Sequence, residues 1–140
     1  MALSKTSAAQ LSTEPEFFIV RCLGHRTAMA LAEVGWRGHR IADHFPDDGQ
    51  KTSDPDWIRY GVDQGWALLT QDLRIRYRAD ELASLQDSAG VMFALANGNL
   101  TIRERAGYFI TNQSAIHSAA VGSGPALYKI YADRIAKIWP

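Results

Sequence analysis

Short, wholly apolar runs separated by longer amphipathic stretches organise this chain. Phe17-Phe18-Ile19-Val20 joins aromatic and β-branched residues in a run that fits a strand buried on both faces, as in a parallel sheet. Leu23, Ala28, Leu31, Ala32 and Val34 then recur at roughly helical spacing, and Gly35 ends the pattern. His39-Arg40-Ile41-Ala42 predicts a second short strand, followed by a polar loop from Asp47 to Ser53. Pro55 suits the first turn of a helix capped by Ser53 or Asp54, which runs through Trp57, Ile58 and Val62 to Gly65.

Trp66-Ala67-Leu68-Leu69-Thr70 is the clearest strand, and a short helix is expected around Asp80 to Leu85. Gly90 to Leu95 gives the next strand, and Thr101 with Glu104 forms a capping box for a helix reaching about Ser118. Four apolar strands alternating with helices predict an α/β fold with a mainly parallel sheet. Beyond Gly122-Ser123-Gly124-Pro125 the pattern is divided. Leu127, Ile130, Tyr131, Ile135 and Ile138 match a helical stripe, yet the segment also splits into two strand-like halves around Ala132-Asp133-Arg134. A strand or hairpin extension from about residue 122 is the expectation. Residues 1–16, rich in Ser, Thr, Ala and Pro, read as a flexible leader before a single domain over 17–140.

Composition narrows the class. A chain of 140 residues with 46% apolar content can bury one core without staples. A single cysteine, Cys22, excludes an intrachain disulfide and disfavours a cysteine-based zinc site. No apolar run approaches the roughly 20 residues of a membrane span, and the N-terminus lacks the apolar stretch of a secretory signal. A soluble, cytoplasmic protein is expected. The formal charge is zero, which argues mildly against a dedicated nucleic-acid binder. The distribution is less even: Asp43, Asp47, Asp48, Asp54 and Asp56 share their stretch with Lys51 alone, and Arg74, Arg76 and Arg78 fall within five residues.

Those clusters suggest chemistry. Ligands of open α/β sheets bind beyond the carboxyl ends of the strands. Asp43 follows the second expected strand, Asp72 follows the third, and Asp54 opens the helix between them. Carboxylates converging there repel one another unless protonated or bound to a cation. Mg²⁺ and Mn²⁺ prefer oxygen ligands, and such an ion activates water and stabilises charge on a phosphate. Ordinary roles stay open for each acid: a helix cap for Asp54, a turn start for Asp72, a loop acid for Asp43, and solvated charges for Asp47 and Asp48. Arg74, Arg76 and Arg78 suit phosphate, or equally an exposed strip paired with Asp80 and Glu81. The four histidines lack metal-ligand spacing, and Cys22 has no histidine partner at a suggestive distance. The four tryptophans do not cluster, so they read as packing residues rather than a stacking platform.

Together FFIVRCLG, GHRIADHFPDD, SDPDWIRYG, GWALLTQDLRIRYRADEL and VMFALANGNLT resemble the PIN-like family of small nucleases, within it the VapC-type ribonuclease toxins of type II toxin–antitoxin pairs. The likeness runs from about Phe17 to Asn112. Its most specific parts are the spacing of Asp54 and Trp57 and the stretch from Gly65 to Arg76. The resemblance implies a three-layer α/β/α fold and an Mg²⁺- or Mn²⁺-binding acidic pocket that cleaves RNA through metal-activated water. It matches Asp54 and Asp72 to family acids, expected as catalytic residues, and Asp43 to a frequent acidic position, so that Asp43, Asp54 and Asp72 are the expected metal ligands; Arg74 and Arg76, from their own chemistry, are the expected RNA contacts. It also implies a cognate antitoxin and, as is frequent among such domains, a homodimer. One position departs. The family usually closes its first strand with an aspartate, where this chain has Val20, which offers no oxygen lone pair. The alternative expectation is therefore a catalytically impaired domain that binds RNA or a partner protein.

Overall fold

The protein is described by a computed structural model covering residues 14–49 and 51–140. Six strands form one sheet: β1 (Glu16–Ile19), β2 (Arg37–Arg40), β3 (Ala67–Thr70), β4 (Val91–Leu95), β5 (Ala126–Ile130) and β6 (Ile135–Trp139). Their order is β2-β1-β3-β4-β5-β6, and only the β5–β6 pair is antiparallel. Five helices accompany them: α1 (His25–Glu33), α2 (Asp54–Asp63), α3 (Ala79–Ser88), α4 (Ile102–Thr111) and α5 (Gln113–Ala120). The result is a mainly parallel α/β sheet, as the apolar runs predicted. The expected leader lies outside the described residues except for 14–16, of which Glu16 already belongs to β1.

Alternation across the pleat divides the apolar residues between two cores. Phe17, Ile19, Leu69 and Phe93 point to one face, where they meet Leu31 of α1, Phe109 of α4 and Ile116 of α5. Phe18, Leu68 and Met92 point to the other, against Trp57 and Ile58 of α2 and Leu85 of α3. Both faces of the central strands are covered, which is why β1, β3 and β4 read as unbroken apolar runs.

Two boundaries differ from the sequence reading, and the divided tail takes one of its two readings. Strand β2 lies two residues earlier than expected, because its register is set by the four-residue β1, from Glu16–Arg37 to Ile19–Arg40. Ile41–Asp43 instead forms a 3₁₀ turn that sends the Ile41 side chain into the second core. The long helix after Thr101 is two helices broken at Asn112, whose side-chain amide donates to the Tyr108 and Tyr131 carbonyls at 2.8 Å each. The tail is a β5–β6 hairpin, the strand-like alternative.

One packing detail carries a pH prediction. The His117 ring lies 4.7 Å from the Trp36 ring and 5.2 Å from Phe17, and its Nε2 is buried without a partner among the described residues. Burial pulls its pKa below the usual 6.5 against the opposing charge of Glu14. Below pH 6.5 the unfolded chain then binds more protons at this site than the folded one, so stability falls as pH falls. The thermal midpoint is expected to drop between about pH 7.5 and about pH 5.5, and to drop less in His117→Phe. Equal pH dependence in both proteins would remove this assignment.

Candidate functional site

Strand β1 leads outward to β2, and the chain then returns across β1 to place β3 on its other side. The order of winding therefore reverses between β1 and β3, the place where open α/β sheets form a crevice at their carboxyl ends. A pocket of about 380 Å³ opens there, lined by Val20 after β1, Thr70 and Asp72 at the end of β3, Asp54 of α2, and Arg74 and Arg78.

Local chemistry orients each acid. At the start of α2, Ser53 serves as the cap, its Oγ accepting from the Asp56 amide at 3.3 Å. The Asp54 carboxylate is thereby free of the capping role. Its Oδ1 accepts from the Trp57 indole N–H at 2.7 Å, and its Oδ2 accepts from Arg78 Nη1 at 3.4 Å. Beyond β3, the Asp72 amide donates to Thr70 Oγ1 at 3.1 Å. Asp72 Oδ1 accepts from the Arg74 amide and Nε at 3.1 and 3.0 Å, while Oδ2 accepts from Arg78 Nη1 at 3.1 Å. Asp72 does start a turn, and it also faces the pocket.

A third carboxyl, from Glu81 in the first turn of α3, reaches the same nitrogen: Oε1 accepts from Arg78 Nη1 at 3.2 Å. The Glu81 side chain is only 6% exposed, and its Oε2 has no partner among the described residues. In the sequence Glu81 reads only as a surface partner for the arginines. The spacing of Arg78 and Glu81 was the available signal, but it cannot tell a buried pair from an exposed one.

Charge follows geometry. Burial would raise the Asp72 pKa, yet the Arg74 hydrogen bonds and the charges of Arg78 and Arg74 hold it below the usual carboxylate range. Burial also acts against the Arg78 charge, and Glu81 and Asp72 more than restore it. Glu81 is pushed up to about 7, first by burial and then by the adjacent Asp54 carboxyl, against the pull of Arg78.

Other expected residues fall elsewhere. Asp43 is not brought to this cluster; it ends the 3₁₀ turn after β2 and pairs with Arg40 Nη2 at 3.2 Å. Arg40 also contacts His25 Nδ1. Arg74 is largely exposed at the rim, and the Arg76 guanidinium lies over the Tyr77 ring at 4.7 Å. Val20 is buried in the second core at the end of β1, so the first strand gives the pocket an apolar wall.

Three carboxyls around one positive charge are oxygen donors of the kind Mg²⁺ and Mn²⁺ prefer. Among the described residues, no three His, Cys, Asp or Glu are placed to share an ion directly. The oxygens stand 3.1 to 3.4 Å from Arg78 Nη1, whereas Mg²⁺ takes oxygen at about 2.0–2.1 Å. The donors fit such an ion chemically, but only with Arg78 withdrawn and the carboxylates drawn inward.

A family model described as "PIN like domain" matches residues 15–97. A protein of Mycobacterium tuberculosis bearing the name "Putative ribonuclease VapC45" is 26% identical over 123 residues, covering 86% of this chain and 89% of that protein. No solved structure matches the chain significantly.

Proposed function

From a chain that belongs to the PIN-like domain family, we propose an endoribonuclease, the toxin of a type II toxin–antitoxin pair, with Asp54 and Asp72 as its catalytic carboxylates. The observation that carries this reading is their meeting. Two acids from separate elements, 18 positions apart in sequence, address one positively charged atom at the sheet's switch point. A bound Mg²⁺ or Mn²⁺, held by Asp54 and Asp72, supplies activated water and neutralises charge on the phosphate.

The chain's own residues do the rest. Trp57 fixes the Asp54 carboxylate through its indole N–H, and Thr70 fixes the Asp72 backbone. Arg74, exposed at the rim, offers a forked donor to RNA phosphates, and Arg76 extends that basic edge. Asp43 pairs with Arg40 outside the pocket and is not part of the proposed ligand set. The partner in this reading is an antitoxin protein, expected to copurify when the adjacent reading frame is co-expressed. The relative's name, which includes "ribonuclease", supports RNA as the substrate.

A second reading, RNA binding without cleavage, is favoured by two observations: the apolar Val20 wall and the Arg78 guanidinium among the acids. The deciding experiment incubates the purified protein with unstructured and structured RNA, and with DNA of the same sequences, in Mn²⁺. The nuclease reading expects RNA cut by wild type, spared by Asp54→Asn, and spared when the metal is chelated. RNA bound but left intact, or cut equally by Asp54→Asn, would overturn it.

A further inference from the structure

Arg78 is an unusual occupant for the centre of an active-site pocket. One nitrogen, Nη1, faces Asp72 at 3.1 Å, Glu81 at 3.2 Å and Asp54 at 3.4 Å. A guanidinium NH₂ carries two hydrogens, so three carboxyls cannot all receive well-directed bonds from it. The overload has a visible remainder: Glu81 Oε2, on a side chain 6% exposed, is buried with no partner among the described residues. With Arg74 also on Asp72, three carboxyls face two guanidinium groups, which leaves one negative charge uncompensated when all three are ionised. A spherical ion of higher charge, which imposes no hydrogen-bond direction, answers both shortfalls.

The surroundings are arranged for exchange. Asp72 keeps its Arg74 amide and Nε bonds without Arg78, and Asp54 keeps its Trp57 bond. These two carboxylates are therefore held by independent partners. The Arg78 side chain is 35% exposed, so its long stem has a route to water. Its backbone is the cap of α3, where the Leu82 amide donates to the Arg78 carbonyl at 3.0 Å, and that bond does not depend on where the guanidinium lies.

We infer that Arg78 is the exchangeable built-in counter-ion of an Asp54–Asp72–Glu81 site, in which its guanidinium and a divalent cation are alternative occupants. Glu81 supplies the third carboxylate that Val20, directly after the first strand, does not provide. This rests on the ribonuclease reading for the identity of the ion, but it concerns occupancy rather than cleavage. Arg78 sets the apparent metal affinity, because an ion binds only the fraction of molecules whose guanidinium has withdrawn.

The test measures Mn²⁺ alone by calorimetric titration, without RNA, in wild type, Arg78→Gln, Glu81→Gln and the double variant. If the guanidinium occupies the cluster in about nine molecules of ten, Arg78→Gln binds Mn²⁺ about tenfold more tightly than wild type. Adding Glu81→Gln is expected to reverse most of that gain. Equal affinity in wild type and Arg78→Gln overturns the inference, as does a double variant that binds like Arg78→Gln. Should Arg78→Gln not fold, the wild-type protein still decides: the Arg78 Nε–H resonance is expected to shift as Mg²⁺ is titrated. Saturable Mg²⁺ binding with that resonance unmoved overturns the exchange. Parallel RNA assays separate the two ideas. Exchange without cleavage by any variant removes the nuclease reading alone, and cleavage with Arg78-independent metal affinity removes the exchange alone.

Discussion

Asp72→Asn is expected to lower RNA cleavage by about a hundredfold or more, the scale on which a preorganised electrostatic group acts. The amide is nearly isosteric with the carboxylate and can still accept from the Arg74 amide through its oxygen, so the turn after β3 should survive. What disappears is the negative charge, which neighbouring arginines hold ionised far below neutral pH. The loss is expected in kcat rather than in RNA affinity, since the exposed Arg74 proposed as an RNA contact is left in place. Single-turnover cleavage and a binding isotherm for the same RNA would separate these effects. Unchanged kcat would exclude Asp72 from the reaction.

The largest stability effect is expected at a glycine far from the pocket. A Cβ on Gly124 would lie 2.2 Å from the Ala89 carbonyl oxygen and 2.6 Å from that of Gly90. Both are backbone atoms at the entrance to β4, so neither can swing aside as a side-chain tip would. The next residues also set the β4–β5 register, because the Ala126 amide donates to the Gly90 carbonyl at 3.0 Å. Moving the loop to admit a methyl group pulls against that bond. Gly124→Ala is therefore expected to cost about 3 kcal/mol in urea unfolding, at the upper end for backbone-strained substitutions. Gly107→Ala is the internal contrast. It lies within α4, nothing stands within 4 Å of its added Cβ, and a gain of about 0.5–1 kcal/mol is expected. Similar changes at both positions would show that the close approach at Gly124 is not limiting.

The sequence discloses those parts of the molecule that local pattern controls. Strands β1, β3 and β4 are legible because they are buried on both faces, leaving no polar alternation to confuse them. The capping box of Thr101 and Glu104 is legible because both of its hydrogen bonds lie within four residues, and both form. The hairpin is half legible: Ala132-Asp133-Arg134 marks its turn, but its apolar positions also fit a helix. Asn112 breaks the α4–α5 helix through a bond to Tyr131 in the hairpin, a contact that no local window contains.

The site divides the same way. Asp54 and Asp72 can be singled out because each follows a recognisable element boundary. Whether Asp54 is a cap cannot be read locally, since Ser53 and Asp54 are both good caps; in the fold Ser53 takes the role. Arg78 and Glu81 look like an ordinary surface pair three residues apart, and only the docking of α3 against α2 buries Glu81 beside Asp54. Asp43 misleads in the opposite direction. Its position after a short strand suits a pocket acid, but β2 ends early and the 3₁₀ turn directs it to Arg40.

The claim beneath the whole account is that Asp72 and Arg78 share one charge cluster in the folded protein. A double-mutant cycle measures that directly, using urea unfolding of wild type, Asp72→Asn, Arg78→Gln and the double variant at low salt. Arg78 Nη1 is 3.1 Å from Asp72 Oδ2, and both side chains are only partly exposed. A coupling of about 1 kcal/mol is predicted after allowing for solvent screening. Single-variant effects that add to within about 0.3 kcal/mol would contradict the arrangement.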